Sequence, residues 1–406
     1  MYDSVTLYKD STGYIELAKL ISGNGLAGYN GERTPGYPLL IVIAGNSLFL
    51  TVLIQFALGI VTTIYQYKSL LITGVGKRIA IVASLVFGSL LHVLFYETSI
   101  LTESFTLFVM TLGIYFTLDG FFSENKNFKN TMVVGFFMGC LVLIKPFFIF
   151  IPFLIYGLYT LKYFSLKTVI NRRIAVLVFP LIVFLGWSYV NKVNTGYFVS
   201  TTFFGVNIAQ NCVSFAEKSP EEFKLIRDIY VKHRTEVQLN NGDLSMTIWE
   251  AHDELLEKTG MSSPELSYEL AKFGKATINK NPVDYSKQVF VSWFEFWRTS
   301  FDNQTLNSAN PVFKYIWTPQ KLLLRGIKVV FVLLIPYYLI QFIRFRKVSP
   351  VFILTTLIFA GSVLQAMVTY GNNSRFSFPF EFLMIMVVII TFQEFRRNRR
   401  RYLAGA

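Results

Sequence analysis

The chain is poor in the residues that staple or metallate small domains. It has two cysteines in 406 residues, Cys140 in an apolar run and Cys212 in a polar region. Two such distant thiols imply no disulfide framework and leave the redox compartment unread. Its three histidines, His92, His233 and His252, lack zinc-ligand spacing, so each reads as a structural residue. No internal repeat or low-complexity tract stands out, and the first residues carry no pattern expected of a signal peptide. Charge is scarce too: 16% of residues are Asp, Glu, Lys or Arg, against 53% hydrophobic, with a mean hydropathy of +0.45. A soluble domain of this length is less apolar, so the expectation is a membrane protein.

The formal net charge of +13 raises nucleic acid as a partner, but the placement of the charges argues against it. Basic residues cluster in the tail, 396–406, and in short loops between apolar runs, the pattern of topology-setting charge. With about 20 apolar residues needed to cross a bilayer, nine spans are expected: 47–67, 77–96, 102–122, 130–145, 147–163, 174–191, 325–343, 349–370 and 377–395. The fourth and fifth are short and meet at the Lys145-Pro146 turn. Loops 67–78, 123–130, 161–173, 344–349 and the tail carry the Lys and Arg and are expected in the cytoplasm. Loops 96–104 and 370–377 and the Lys145-Pro146 turn then face the periplasm, lumen or exterior. Segment 1–36 falls on that outer side with no preceding span to export it. An additional N-terminal helix is therefore expected in a full-length protein, with direct export of a short tail as the alternative.

The expected organisation is an all-α polytopic membrane protein: an outer loop (1–36), an N-terminal membrane bundle (37–191), a mainly helical periplasmic or lumenal domain (192–324), C-terminal spans (325–395) and a basic cytoplasmic tail (396–406). Helix starts in the polar stretch are signalled by Ser219-Pro220-Glu221-Glu222, Ser263-Pro264-Glu265 and Asn281-Pro282. The aromatic stretch 287–301 suits either an interfacial helix or an ordinary core.

Topology puts six charged residues at one outer depth: Asp10, Arg33, Glu97, Glu103, Lys145 and Arg375. Taken singly, each can mark a helix end or snorkel to the interface. As a set they hold both signs, and most adjoin Pro, Gly or Ser. Arg and Lys at headgroup depth bind phosphate, and a nearby carboxylate can take a proton from a hydroxyl. That combination suits group transfer from a lipid-linked phosphate to an alcohol, because cations stabilise the charge that grows on a departing phosphate.

The residues that carry this chemistry also carry a resemblance. K-D-S-T-G-Y-I-E-L-A-K (9–19) followed by G-E-R-T-P-G-Y-P-L-L (31–40) resembles the start of GT-C membrane glycosyltransferases, the relatives of protein O-mannosyltransferases and of the lipid A aminoarabinose transferase in glycosyltransferase family 39 and its bacterial cousins. S-I-L-T-E-S-F-T-L-F (99–108), L-V-L-I-K-P (141–146) and R-F-S-F-P (375–379) resemble later family motifs in the same order. The resemblance implies a GT-C-like bundle and an inverting transferase fed by a sugar on a polyprenyl phosphate, with a hydroxyl acceptor on a glycan, lipid or protein. It places the site outside a bacterial inner membrane and implies a helix before the first acidic motif. Asp10 is then the general base, with a helix N-cap as its structural role. Arg33, Lys145 and Arg375 contact the donor phosphate. Glu103 orients the acceptor or a metal. Tyr14, Tyr37 and Glu97 line the cavity. No cofactor is required; a divalent metal is an open possibility.

Two other classes compete. A flippase or transporter of lipid-linked sugars tends to show repeats and midplane ionisable or broken-helix sites. Here the charges gather at the rim, and His92 is read as the one titratable group well inside a span apart from tyrosines and cysteine. A polysaccharide polymerase or ligase uses related donors, but the R-T-P-G-Y-P motif favours the first reading.

Overall fold

The computed structural model describes residues 5–23, 25–123, 127–164, 171–299, 312–371 and 374–404, with the side chains of 399–404 left aside. Among the described residues the fold is helical, with no strand beyond an isolated bridge between Thr6 and Ser99. Six helices are long and apolar enough to cross a membrane: Leu48–Ile72, Thr102–Phe121, Arg172–Thr195, Val312–Phe345, Pro350–Val368 and Ser374–Asn398. A seventh span follows if Lys77–Gly88 and Leu91–Thr98, bent by 53°, are taken together. The expected fourth and fifth spans are the shorter helices Phe128–Ile144 and Pro146–Lys162. This is consistent with a helical polytopic membrane protein.

The labels used below are α1 (Lys9–Ser22), α2 (Gly36–Ile43), α3 (Leu48–Ile72), α4 (Lys77–Gly88), α5 (Leu91–Thr98), α6 (Thr102–Phe116), α7 (Phe128–Ile144), α8 (Phe150–Lys162), α9 (Val178–Thr195), α10 (Phe203–Gln210), α11 (Lys224–Leu239), α12 (Ser263–Lys280), α13 (Pro282–Trp297), α14 (Val312–Phe345), α15 (Pro350–Val368) and α16 (Glu381–Ala404).

Helix α3 shows which solvent the bundle is built for. Its buried positions are mostly polar, Thr51, Gln55, Thr62, Gln66 and Ser69, and recur at helical spacing. Its exposed positions include Phe49, Leu53, Ile60 and Ile64. A water-soluble helix reverses this arrangement. Polar side chains turned inward and apolar ones outward are what a hydrocarbon solvent selects. Deeper in the bundle, α6 and α16 bury most of their surface. They join α4, α5, α7, α8, α14 and α15 in one apolar core that includes Met110, Met138, Phe331, Phe380 and Met384.

Within the expected 192–324 stretch, residues 206–285 form a helical cluster around Val206, Phe215, Tyr230, Leu255, Leu270 and Phe273, while 312–324 belong to the long helix α14. Its α12 begins with a capping box between Ser262 and Glu265, one residue before the expected Ser263, with Pro264 in the first turn. Pro282 likewise opens α13. Along the aromatic stretch, Trp293 donates to Ser362 Oγ at 3.0 Å and Ser292 to the Thr369 carbonyl at 2.9 Å, while Phe290 and Phe294 stay exposed. That helix therefore docks one edge on α15 and presents an apolar face outward.

Candidate functional site

Three local devices bring the charged residues together. Upstream of α1, Thr6 pairs with the α5–α6 link: Ile100 N–H donates to the Thr6 carbonyl at 3.1 Å, and Ser11 Oγ donates to the Ile100 carbonyl at 2.8 Å. The first turn of α1 thereby lies beside the first turn of α6, and Asp10 beside Glu103. The 31–36 loop then docks on the end of α7. Thr34 Oγ1 donates to the Ile144 carbonyl at 2.9 Å. Gly36 packs so closely on Leu143 that a Cβ there would stand 2.6 Å or less from its carbonyl, which excludes any larger residue. Arg33 and Lys145 are thus tied together through backbone. Finally, the short helix Ser374–Ser377 carries Arg375 across the top of the bundle.

The result is an alternating chain of five charges. Arg33 Nη2 donates to Asp10 Oδ1 at 2.9 Å, and Arg375 Nη1 donates to Asp10 Oδ2 at 2.7 Å. Arg375 also forks onto Glu103, Nε to Oε1 at 2.6 Å and Nη2 to Oε2 at 3.1 Å. Lys145 Nζ completes the run on Glu103 Oε1 at 3.0 Å. Glu103 is fully buried, whereas Asp10 and Arg375 each keep about a third of their side chains exposed. Three cations on two carboxylates leave one positive charge. Burial pushes the Asp10 carboxyl up, but the Arg375 and Arg33 guanidiniums more than offset this and hold it well below the usual carboxylate range.

The Arg33 guanidinium lies between two rings, 4.7 Å from the Tyr14 centroid and 4.9 Å from that of Phe203. Aromatic faces hold a cation while leaving its N–H edge free to bond. Its Nε is buried without a partner. Tyr14 is buried beside it. Tyr37 is fully buried one layer further in, its hydroxyl donating to Gln55 Oε1 at 2.9 Å and its ring edge-on to Tyr14. Tyr37 therefore supports the wall of the site. Asp10 is not the N-cap of α1: Tyr8 holds that position and Ser11 Oγ accepts its N–H at 2.9 Å, which leaves the Asp10 carboxylate to the arginines.

Glu97 departs from the expected set. It faces α3 from the side of α5, away from the ion chain, with its carboxyl against Gly59. The chain turns between α5 and α6, and Glu97 meets the middle of α3 rather than Glu103. Among the described residues no group of three or more His, Cys, Asp and Glu side chains could hold a metal ion. Both carboxylates of the chain are wrapped by cations, a donor set that fits an anion rather than a divalent cation. Cys140 and Cys212 are free thiols.

Comparison with protein-family models, curated proteins and solved structures finds no match to this chain.

Three features lay outside the sequence expectations. Phe203 supplies the second ring over Arg33, and the Tyr29 hydroxyl bonds the Arg33 carbonyl. A buried triad also ties α5, α14 and α16: His92 Nε2 lies 2.7 Å from Glu381 Oε2, and Lys328 Nζ 2.8 Å from Glu381 Oε1. Lys328 further donates to Ser377 Oγ at 2.7 Å. This corrects the reading of His92 as the one titratable group inside a span. Lys328 and Glu381 were visible as isolated charges in apolar runs, the available signal. They neutralise each other where solvent does not reach.

Proposed function

We propose that this chain is an integral membrane glycosyltransferase of GT-C type, moving a sugar from a polyprenyl-phosphate carrier to a hydroxyl acceptor with inversion at the anomeric carbon. One observation carries the reading: five charges from distant segments converge in a partly open chain that ends one positive charge in excess. A phosphodiester supplies the one negative charge that balances it. As the sugar leaves, the phosphate approaches the charge of a monoester, about −1.5 to −2 at neutral pH. Arg33, Arg375 and Lys145 then bind the departing group more tightly than the substrate, as catalysis requires.

Asp10 is the base. The acceptor oxygen attacks the anomeric carbon, its proton passes to the Asp10 carboxylate, and the bond to the phosphate oxygen breaks with its electron pair on the phosphate. A carboxylate clamped by two guanidiniums is a weak base. A phosphate that takes up Arg33 and Arg375 loosens that clamp and raises the basicity of Asp10, so the donor binds before the acceptor is activated. Glu103, buried and bidentate, positions Arg375. The bias of basic loops supports a site on the periplasmic or exterior face of a bacterial inner membrane, with 192–324 on the same side. The test is donor consumption by purified protein in detergent. Asp10→Asn is expected to express and fold but lose transfer; full activity in that variant removes the mechanism.

A flippase or transporter of lipid-linked sugars is the second reading. The break between α4 and α5 and the buried His92–Glu381–Lys328 triad are the kind of broken-helix and ionisable features found in transporters. Turnover in detergent, where no compartment exists, supports the transferase. Sugar movement seen only in sealed vesicles supports the transporter.

A further inference from the structure

The N-terminal bundle encloses a second polar space, separate from the ion chain. Its walls include Thr62, Thr63 and Gln66 of α3, Glu97 of α5, Ser104 of α6 and Phe378. Its cavity volume of about 10 Å³ gives room for a water molecule and not for a sugar. At Gly59 a Cβ would stand 1.9 Å from Glu97 Oε1, so the carboxyl lies directly on the α3 backbone, a contact only glycine allows.

Two side chains there lack partners. Gln66 is 1% exposed, and neither atom of its amide has a hydrogen bond. Glu97 is 8% exposed and takes no part through its carboxyl in any ion pair or hydrogen bond among the described residues. The Thr62 and Thr63 hydroxyls donate to the Leu58 and Gly59 carbonyls at 2.8 and 3.0 Å, which leaves their oxygens as acceptors. A buried, unsatisfied amide costs roughly 1–3 kcal/mol, and bound water removes that cost where polar groups surround it. An unpaired carboxylate in such surroundings costs far more and is neutralised by a proton.

Among the described residues, Glu97 is the one ionisable side chain lining the space. The other titratable groups on the surrounding elements lie outside it: Tyr65, Tyr67 and Lys68 on α3, Lys77 and Arg78 on α4, His92 and Tyr96 on α5, Glu103 and Tyr115 on α6, and Arg375 and Glu381 beside Phe378. Of these, Glu103 with Arg375 and His92 with Glu381 are already paired.

We propose that Glu97 is a proton-binding site inside the helical bundle: a neutral carboxylic acid that shares bound water with the Gln66 amide and the Thr62 and Thr63 hydroxyls. The proton exchanges by cleavage of the carboxyl O–H bond, the electron pair staying on the carboxylate and the proton passing to a water to give hydronium. The site stands independently of the transferase reading.

The experiment is an infrared difference spectrum of the full chain in lipid, wild type against Glu97→Gln, near neutral pH. The expected result is a carbonyl-stretch band of a protonated carboxylic acid that is absent from the variant, shifts in heavy water, and fades as pH is raised. Gln66→Leu should shift the band without removing it, because it deletes a partner to the same water and not the proton. A wild-type spectrum with no band assignable to Glu97, or one insensitive to Glu97→Gln, overturns the proposal.

Discussion

Two clusters of buried charge in this molecule use the same residue types and reach opposite ends. In the triad of His92, Glu381 and Lys328, every side chain is 5% exposed or less, and the Lys328 ammonium and the Glu381 carboxylate cancel. In the chain from Arg33 to Lys145, two of five members are a third exposed and a positive charge is left over. A closed, balanced cluster has nothing to offer a ligand and joins three helices. An open, unbalanced cluster is incomplete until an anion arrives. The two are physically linked, because Lys328 grips Ser377, two residues from Arg375. The closed cluster thus braces the segment that delivers the open cluster's central cation.

The sharpest way to separate them is to neutralise a carboxylate in each. Asp10→Asn should lower transfer by about 10²–10⁴, the typical contribution of a positioned base, with little change in thermal stability. The readout is turnover alongside a melting curve of the same preparation. Glu381→Gln should do the reverse. It leaves Lys328 buried without its counter-charge, a loss of roughly 3–5 kcal/mol of stability, seen as a lower melting temperature in detergent. The double variant Lys328→Met with Glu381→Leu should recover most of that loss, since no lone charge then remains buried. If Glu381→Gln melts like wild type, the contrast between the clusters is wrong.

A smaller effect tests the open cluster alone. Arg33→Lys keeps the charge but loses the planar fork that sits between Tyr14 and Phe203 while bonding Asp10. Cation–π contact contributes about 0.5–2 kcal/mol, so kcat/KM for the donor should fall by roughly tenfold, with kcat sharing the loss. A rise in KM with kcat unchanged would move Arg33 from transition-state stabilisation to ground-state binding alone.

How far these clusters could be read from the sequence follows from what each signal measures. Apolar run length revealed most helices, because crossing a bilayer demands it. It missed the bend after Gly88, since the apolar pattern runs on through Ser89 and Leu90. Charges beside Pro, Gly or Ser pointed to Asp10, Arg33, Glu103, Lys145 and Arg375, whose backbone turns sharply there. Topology supplied their depth but no lateral neighbour, so Glu97 was grouped with residues it does not touch. Phe203 was hidden among 41 phenylalanines, with no local feature to mark it. Lys328 and Glu381 fell inside the expected spans 325–343 and 377–395 and went unremarked, because apolar run length says nothing about which buried charges will find each other.

The smallest expected effect is a pH dependence that the closed cluster should lack. Two guanidiniums hold the folded Asp10 carboxyl well below its unfolded value of about 3.9. A depressed carboxylate contributes stability that is fully present above its unfolded value and is lost as pH falls through the folded one. The difference in melting temperature between wild type and Asp10→Asn should therefore stay constant from neutral pH down to about pH 4 and narrow below it. Because a third of the side chain meets solvent, the contribution is screened and should stay under about 1 kcal/mol. A difference that widens on acidification has the wrong sign for an ion-paired carboxylate, and would mean that Asp10 enters the chain as its protonated form.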